Sequence, residues 1–283
     1  MNKPSFSVII PTYNRKNFIE KCVNSVISQS YDDFEIIIID DNSTDGTNDL
    51  IKNIKDTRLQ YLYNDKNMGV SKSRNLGIRL AKKEFIAFLD SDDWWDPKKL
   101  ETTVKFINQF PDIKIFHTEE IWFKNGRVLP QKKKHKKPDG FVYPNALELC
   151  CISISTAVIH NSIFHTIGNF DETLPACEDY DFWLRLTNKF NIKLIPCALT
   201  FKDGGRCDQL SHNIWGLDRF RIKALEKMLL QNSLTPKSYK LTLEELEKKC
   251  AVFSNGAHKR DKIEESILYK NLPKKYIPPQ KIA

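Results

Sequence analysis

The run Asp90-Ser91-Asp92-Asp93 gathers three carboxylates within four residues. Carboxylates repel phosphate, so a cluster of this kind binds a phosphate-bearing ligand only through a divalent cation. Mg²⁺ or Mn²⁺, with their preference for hard oxygen ligands, would supply that bridge. Asp90, Ser91 and Asp92 therefore read as a metal–diphosphate clamp. The competing reading is a helix cap ahead of Pro97, but Asp96 fills that role by itself. A second constellation, Glu178-Asp179-Tyr180-Asp181, precedes the apolar Phe182-Trp183. A carboxylate here could serve as a general base toward an attacking hydroxyl. First-turn acids also suit the helix dipole, so a structural role competes. Tyr13 would stack on a nucleobase and Asp41 would accept its imino N–H, although each signal alone is weak.

These residues need elements to position them. Apolar runs begin near Phe6, Phe34, Leu59 and Phe85, and two of them are nearly continuous, as in parallel strands buried on both faces. Between them Phe18, Cys22 and Val26, with Ile19, Val23 and Ile27, repeat at helical spacing. Asn14 is expected to cap that helix, Ser71 a later one, and Asp96-Pro97 the one carrying Leu100, Val104 and Ile107. This alternation predicts an α/β fold, a mostly parallel doubly wound sheet with helices on both faces. Further on, Ile113–His117, Ile121–Phe123 and the Asn125-Gly126 turn predict an antiparallel excursion, with strands again at Ser153–Ile159, Ile192–Ile195 and Leu199–Phe201. Asp181–Lys189 reads as a helix, and after about Ile214 the chain turns helical and basic.

Open α/β sheets bind ligands at the carboxyl ends of their strands. Here those ends carry Pro11-Thr12-Tyr13-Asn14-Arg15, Asp40-Asp41-Asn42-Ser43, Asn64–Gly69 and Asp90–Asp93. No G-x-G-x-x-G follows the first strand and no G-x-x-x-x-G-K-[ST] exists, so neither familiar glycine-rich phosphate loop is present.

Taken in order, Ser7–Arg15, Ile39–Asp45, Gly69–Gly77 and Phe88–Asp93 resemble family 2 glycosyltransferases of the GT-A fold, and Gly168–Asp171 with Glu178-Asp179 extends the likeness to about residue 190. The resemblance implies that Pro11, Tyr13 and Asp41 hold the nucleoside, most often uridine, with Arg74 near the nucleotide. It implies Asp90 near the ribose, Asp92 on the metal, and Asp179 as the catalytic base with Glu178 as second candidate. It implies an inverting single displacement, in which the metal stabilises the departing nucleoside diphosphate. Relatives often carry a histidine in a mobile loop, and Gly204–His212 occupies that region. Two residues are candidates for that role: Arg206, which could pair with phosphate bidentately but cannot ligate metal, and His212, which could substitute as a metal ligand.

Expected partners are a nucleoside-diphosphate sugar and a saccharide or lipid-linked hydroxyl acceptor, in cell-surface polysaccharide or glycolipid synthesis. A phosphotransferase would want its D-x-D after the first strand, and a nucleotidyltransferase a glycine- and arginine-rich loop there. A non-catalytic module for nucleotide-sugar or RNA would not need Glu178-Asp179, so no nucleic acid is expected. Domain boundaries are expected at 1–215 for the catalytic domain, with a nucleotide-sugar half at 1–97 and an acceptor half at 98–215, then a helical basic extension at 216–283.

The 283 residues carry a formal net charge of +8, with 41% hydrophobic and 28% charged residues. No apolar stretch approaches the roughly 18 residues of a membrane span, so a cytoplasmic protein is expected. The run Lys132–Lys137 and the basic C-terminal helices make peripheral contact with an anionic membrane a second expectation. The seven cysteines form no C-x-x-C pair and are expected to stay reduced.

Overall fold

The computed structural model describes residues 3–130, 135–204 and 214–277. They form two compact units whose segments interleave along the chain.

The first unit, residues 1–141, 151–173 and 190–206, holds the whole sheet. Strands β1 (Phe6–Thr12), β2 (Phe34–Asp40) and β4 (Phe85–Phe88) are buried on both faces, and β3 (Leu59–Tyr63) forms the edge. Pairing from β3 through β2 and β1 to β4 is parallel throughout. The sheet continues through β8 (Ala157–His160), β6 (Ile115–Lys124), β9 (Lys193–Asp203) and β5 (Asp93–Trp95), with β7 (Arg127–Leu129) paired to β6. This second half is mixed: β8 runs antiparallel to β4 and β6, β5 antiparallel to β9, and β6 parallel to β9. The two short strands expected at Ile192–Phe201 are one strand. Register shifts opposite Thr118–Glu120 let it pass Pro196, which has no amide to donate.

Helices α1 (Ile19–Ile27), α2 (Thr47–Asn53), α3 (Val70–Leu80), α4 (Lys99–Gln109) and α6 (Ser162–Ile167) belong to this unit. Three expected caps need correction. Asn14 does not cap α1: it has φ 50°, and its Oδ1 accepts the Thr44 N–H at 2.8 Å, tying two strand-end loops together. Ser71 lies inside α3, which starts after Gly69 at φ 89°. Helix α4 begins at Lys99, although Asp96 Oδ1 still accepts the Lys98 N–H at 2.9 Å. Gly77 brings α3 onto β1, since a Cβ there would stand 2.4 Å from Ile9 Cγ2.

The second unit, residues 142–150, 174–189 and 207–283, is helical. It contains α5 (Tyr143–Glu148), α7 (Glu178–Thr187), α8 (Asp218–Leu230), α9 (Pro236–His258) and α10 (Ile263–Asn271). Thr235 caps α9 by accepting the Ser238 N–H at 3.1 Å, with Pro236 at the first helical position. Asp181, 1% exposed, joins α7 to α8 by pairing with Arg185 (2.8 Å) and Lys227 (2.5 Å).

Candidate active site

The strand-end loops of the first unit are laced to one another. Asp41, 4% exposed, donates its N–H to the Thr12 carbonyl (2.8 Å). Its Oδ1 accepts from Asn64 Nδ2 and the Met68 N–H (both 2.9 Å), and its Oδ2 from the Gly69 N–H (2.7 Å). Asp41 thus shapes the β3–α3 loop. A carboxylate offers about four lone-pair positions, so it keeps the capacity for one further donor. Its neighbour Asp40 is fully buried and accepts from the Ser43 N–H and the Tyr61 hydroxyl. Beside this loop Pro11 is buried while Tyr13 is 45% exposed, the arrangement a stacking ring requires.

From α3, Arg74 reaches across to β4. It is 4% exposed, and its Nη2 lies 2.8 Å from Asp90 Oδ1. Asn75, next to it, donates to the Phe170 carbonyl and Glu172 Oε1 (2.9 Å each) and accepts the Phe170 N–H (3.0 Å). The Arg74-Asn75 and Phe170-Asp171 motifs, far apart in sequence, are therefore one structural element.

At the end of β4, Asp90 and Asp92 are half-buried and Ser91 is 5% exposed. Burial works against ionisation of Asp90, but Arg74 and Lys202 overcome it and hold the carboxyl below its ordinary range. Asp93 differs. Burial, with Asp92 and Asp90 as neighbours, pushes it up to about 7 although Lys202 Nζ stands 2.7 Å away. Lys202 is half-buried; burial would lower its pKa, but Asp93, Asp90 and Glu120 overcome this and raise it.

Among the described residues no three His, Cys, Asp or Glu side chains gather as a metal-holding set. The candidate donors are Asp90 and Asp92, two residues apart in sequence. That fits Mg²⁺ or Mn²⁺ chemistry, in which one or two carboxylates share the ion with ligand phosphates and water. Thr12 Oγ1 and Ser71 Oγ, on β1 and α3, are also buried with no hydrogen-bond partner among the described residues. Such hydroxyls are what a ligand would satisfy. His212 and Arg206 lie outside the described residues.

In the second unit, Glu178 (8% exposed) and Asp179 open α7. Asp179 Oδ2 accepts the Cys150 thiol at 3.1 Å and its Oδ1 lies 2.7 Å from the Tyr180 N–H.

Sequence reasoning missed Ser155, Lys202 and Lys99. Lys99 is fully buried against Thr118 Oγ1 (3.4 Å), the Thr156 carbonyl (3.1 Å) and Thr200 Oγ1 (3.3 Å), and burial lowers its pKa to about 7. The one signal in the sequence was a polar residue inside an apolar stretch, as at Ser155 between Ile154 and Val158. The basic run also needs correction. Lys137 is not on a solvated patch: it is 5% exposed and 2.9 Å from Glu120, which Ser153 and Trp122 also reach. His135 and Lys136 are exposed, and residues 132–134 lie outside the described set.

The first unit thus presents an α/β sheet with paired strand-end carboxylates, a buried arginine on one of them and no glycine-rich phosphate loop. The family model for glycosyl transferase family 2 matches residues 7–164, and the chain belongs to that family of transferase enzymes. It is 35% identical over 188 residues to the Escherichia coli UDP-Glc:alpha-D-GlcNAc-diphosphoundecaprenol beta-1,3-glucosyltransferase WfaP, covering 65% of this chain and 70% of that one. It is 36% identical over 189 residues to the putative teichuronic acid biosynthesis glycosyltransferase TuaG of Bacillus subtilis, covering 66% and 73%. Two solved structures share the fold. Staphylococcus aureus TarS 1–349, in complex with UDP-GlcNAc, superimposes with a TM-score of 0.79 at 22% identity over 97% of this chain and 82% of that one. The Pyrobaculum calidifontis mannosyltransferase PcManGT, in complex with GDP-Man and Mn²⁺, gives 0.61 at 16% identity over 99% and 89%. Both matches confirm the expected GT-A type architecture. No helix among the described residues is long and apolar enough to cross a membrane.

Proposed function

We propose that this enzyme moves a sugar from a UDP-linked donor to a hydroxyl acceptor, with inversion, in the assembly of a cell-surface polysaccharide or glycolipid. The carrying observation is Asp90 at the end of β4, gripped by Arg74 and followed by Asp92, in a chain of this family. The E. coli relative named for a UDP-Glc donor and a diphosphoundecaprenol acceptor supports the substrate class.

In this reading Tyr13 stacks on the base, Pro11 shapes the wall beside it, and Asp41 accepts its imino N–H with its remaining lone pair. Asp92, with Asp90 near both ion and ribose and Ser91 between them, would hold Mn²⁺ or Mg²⁺, and His212 would be a further ligand. Once bound, the ion neutralises charge on the departing diphosphate. Arg74 keeps Asp90 ionised and oriented. Asp179, with Glu178 as the alternative, takes the proton of the acceptor hydroxyl. As the acceptor oxygen bonds to the anomeric carbon, the bond from that carbon to the diphosphate oxygen breaks and the electron pair leaves with UDP.

The acceptor class also fits the C-terminal helices. Ile263, Ile267 and Leu268 are 45%, 56% and 57% exposed on α10, and Trp215 is 41% exposed beneath Lys262 Nζ at 4.1 Å. Lys259, Arg260, Lys270, Lys274 and Lys275 are exposed nearby. An apolar face with a basic fringe suits peripheral contact with an anionic lipid surface on the cytoplasmic side. Flotation with anionic liposomes at low salt is expected to carry the protein upward, and its absence would count against this contact.

A donor screen by nucleotide release tests the main reading. A UDP-sugar is expected to be used with Mn²⁺ or Mg²⁺ and not with EDTA. Release from no nucleoside-diphosphate sugar, with any acceptor offered, would contradict it.

A further inference from the structure

Asp90 to Asp93 leave β4 as a turn, closed by the Asp93 N–H on the Asp90 carbonyl at 2.9 Å. Carboxylates presented together repel one another, so the turn needs an external hold. Arg74 and Lys202 offset the charge, and the backbone of the turn is held by a segment 65 residues away in sequence. Ser155, fully buried, sits in the short 3₁₀ turn Ile154–Thr156. Its Oγ accepts the Asp90 N–H (3.1 Å) and donates to Asp93 Oδ2 (2.6 Å). Its carbonyl accepts Trp95 Nε1–H (2.8 Å) and the Thr200 hydroxyl (3.3 Å). A hydroxyl has one proton and two lone pairs, so the two Oγ bonds coexist without competition. The next residue extends the connection, because the Thr156 carbonyl accepts Lys99 Nζ (3.1 Å).

We propose that Ser155 is a positioning residue for sugar transfer: its hydroxyl fixes the turn between Asp90 and Asp93, so that Asp90 and Asp92 share one cation without rearrangement. This rests on the reading of Asp90 and Asp92 as metal ligands. Ser155 itself touches neither donor nor metal. It acts through the backbone of Asp90 and the carboxylate of Asp93, and Trp95 and Lys99 brace the segment that carries it.

The test is Mn²⁺ binding to the full chain in the presence of UDP, read from the loss of the free Mn²⁺ signal in electron paramagnetic resonance. A thermal melt of each variant checks folding. Ser155→Ala is expected to weaken Mn²⁺ binding by about tenfold, the scale of a lost hydrogen bond to a charged group. UDP affinity in EDTA should stay at the wild-type value. Ser155→Thr should retain Mn²⁺ affinity even though its extra methyl lowers the melting temperature, a split that a purely structural role would not give. A folded Ser155→Ala with wild-type Mn²⁺ affinity overturns the proposal. If Ser155→Ala shows no cooperative melt, Trp95→Phe removes the donor to the Ser155 carbonyl and replaces it in the test. A smaller loss is then expected, and unchanged affinity overturns the proposal. Wild-type protein that binds UDP but no Mn²⁺ overturns the metal reading itself, a failure visible before any variant is made.

Discussion

Arg74 and Asp90, on α3 and at the end of β4, meet at 2.8 Å with the guanidinium almost fully buried and the carboxylate partly open. The pair joins two of the motifs that define the site. It also sets the charge of a proposed metal ligand. Arg74→Met removes the main cation acting on Asp90, so the carboxyl pKa rises. The acid limb of the metal-dependent rate should therefore move to higher pH, with a loss of about tenfold in kcat/KM at neutral pH. A pH–rate profile of the variant against wild type checks this.

Asp179→Asn keeps the shape of the α7 terminus but cannot accept a proton. Transfer should fall by about a hundredfold or more, the usual scale of general-base catalysis. UDP binding, measured by calorimetry, should change little. Equal activity in the variant would remove Asp179 as the base.

The buried charges of the first unit tie its stability to pH in two windows. His117 is held near 4, mainly by burial, against an ordinary value of 6.5. Between those values the unfolded chain binds a proton that the folded chain does not, so His117 lowers stability as pH drops from 6.5 to 4. Asp93, held near 7 against 3.8, opposes it over the same range, and the net acid loss falls to Glu120. Burial alone would raise Glu120, but Lys137 and Lys202 hold it near 2 against 4.5, so its contribution disappears below 4.5. Lys99, lowered by burial to about 7 from 10.5, acts at the other end. There the unfolded chain again binds the extra proton, so stability rises with pH from 7 to 10.5. Lys99→Met should flatten that alkaline slope in urea titrations and leave the acid loss in place.

Gly77→Ala places a methyl group 2.4 Å from Ile9 Cγ2 in a packed helix–strand contact. Overpacking of this kind costs about 1–3 kcal/mol. Because the two residues touch, Ile9→Val together with Gly77→Ala should destabilise less than the sum of the single changes. Denaturant midpoints for the four proteins check this coupling.

The parallel half of the sheet was legible because Val8–Ile10, Ile36–Ile39 and Phe85–Leu89 are continuous apolar runs separated by helical periods. The carboxylates at their ends were legible for the same reason, since strand ends are where such sheets place ligand groups. The caps were less so. Asn14 has a good capping side chain, but a contact with Thr44 on the neighbouring loop takes its oxygen. The basic run misled because charge patterning assumes solvent, whereas Lys137 finds Glu120 inside the fold. Ser155 and Lys202 were out of reach. Each works through a partner distant in sequence and brought near by the mixed half of the sheet, where β8, β6, β9 and β5 do not follow chain order.

If Asp90 and Asp92 hold a divalent cation on a UDP-sugar, the effect is visible in one titration. UDP release from the donor found in the screen is followed as Mn²⁺ is added to metal-stripped wild type and to Asp92→Asn. Saturable activation of the wild type, with the Asp92→Asn curve shifted to at least about tenfold higher Mn²⁺, is the expected result. Full activity of metal-stripped wild type in EDTA, or superimposable curves for the two proteins, would exclude Asp92 as a ligand of a required cation.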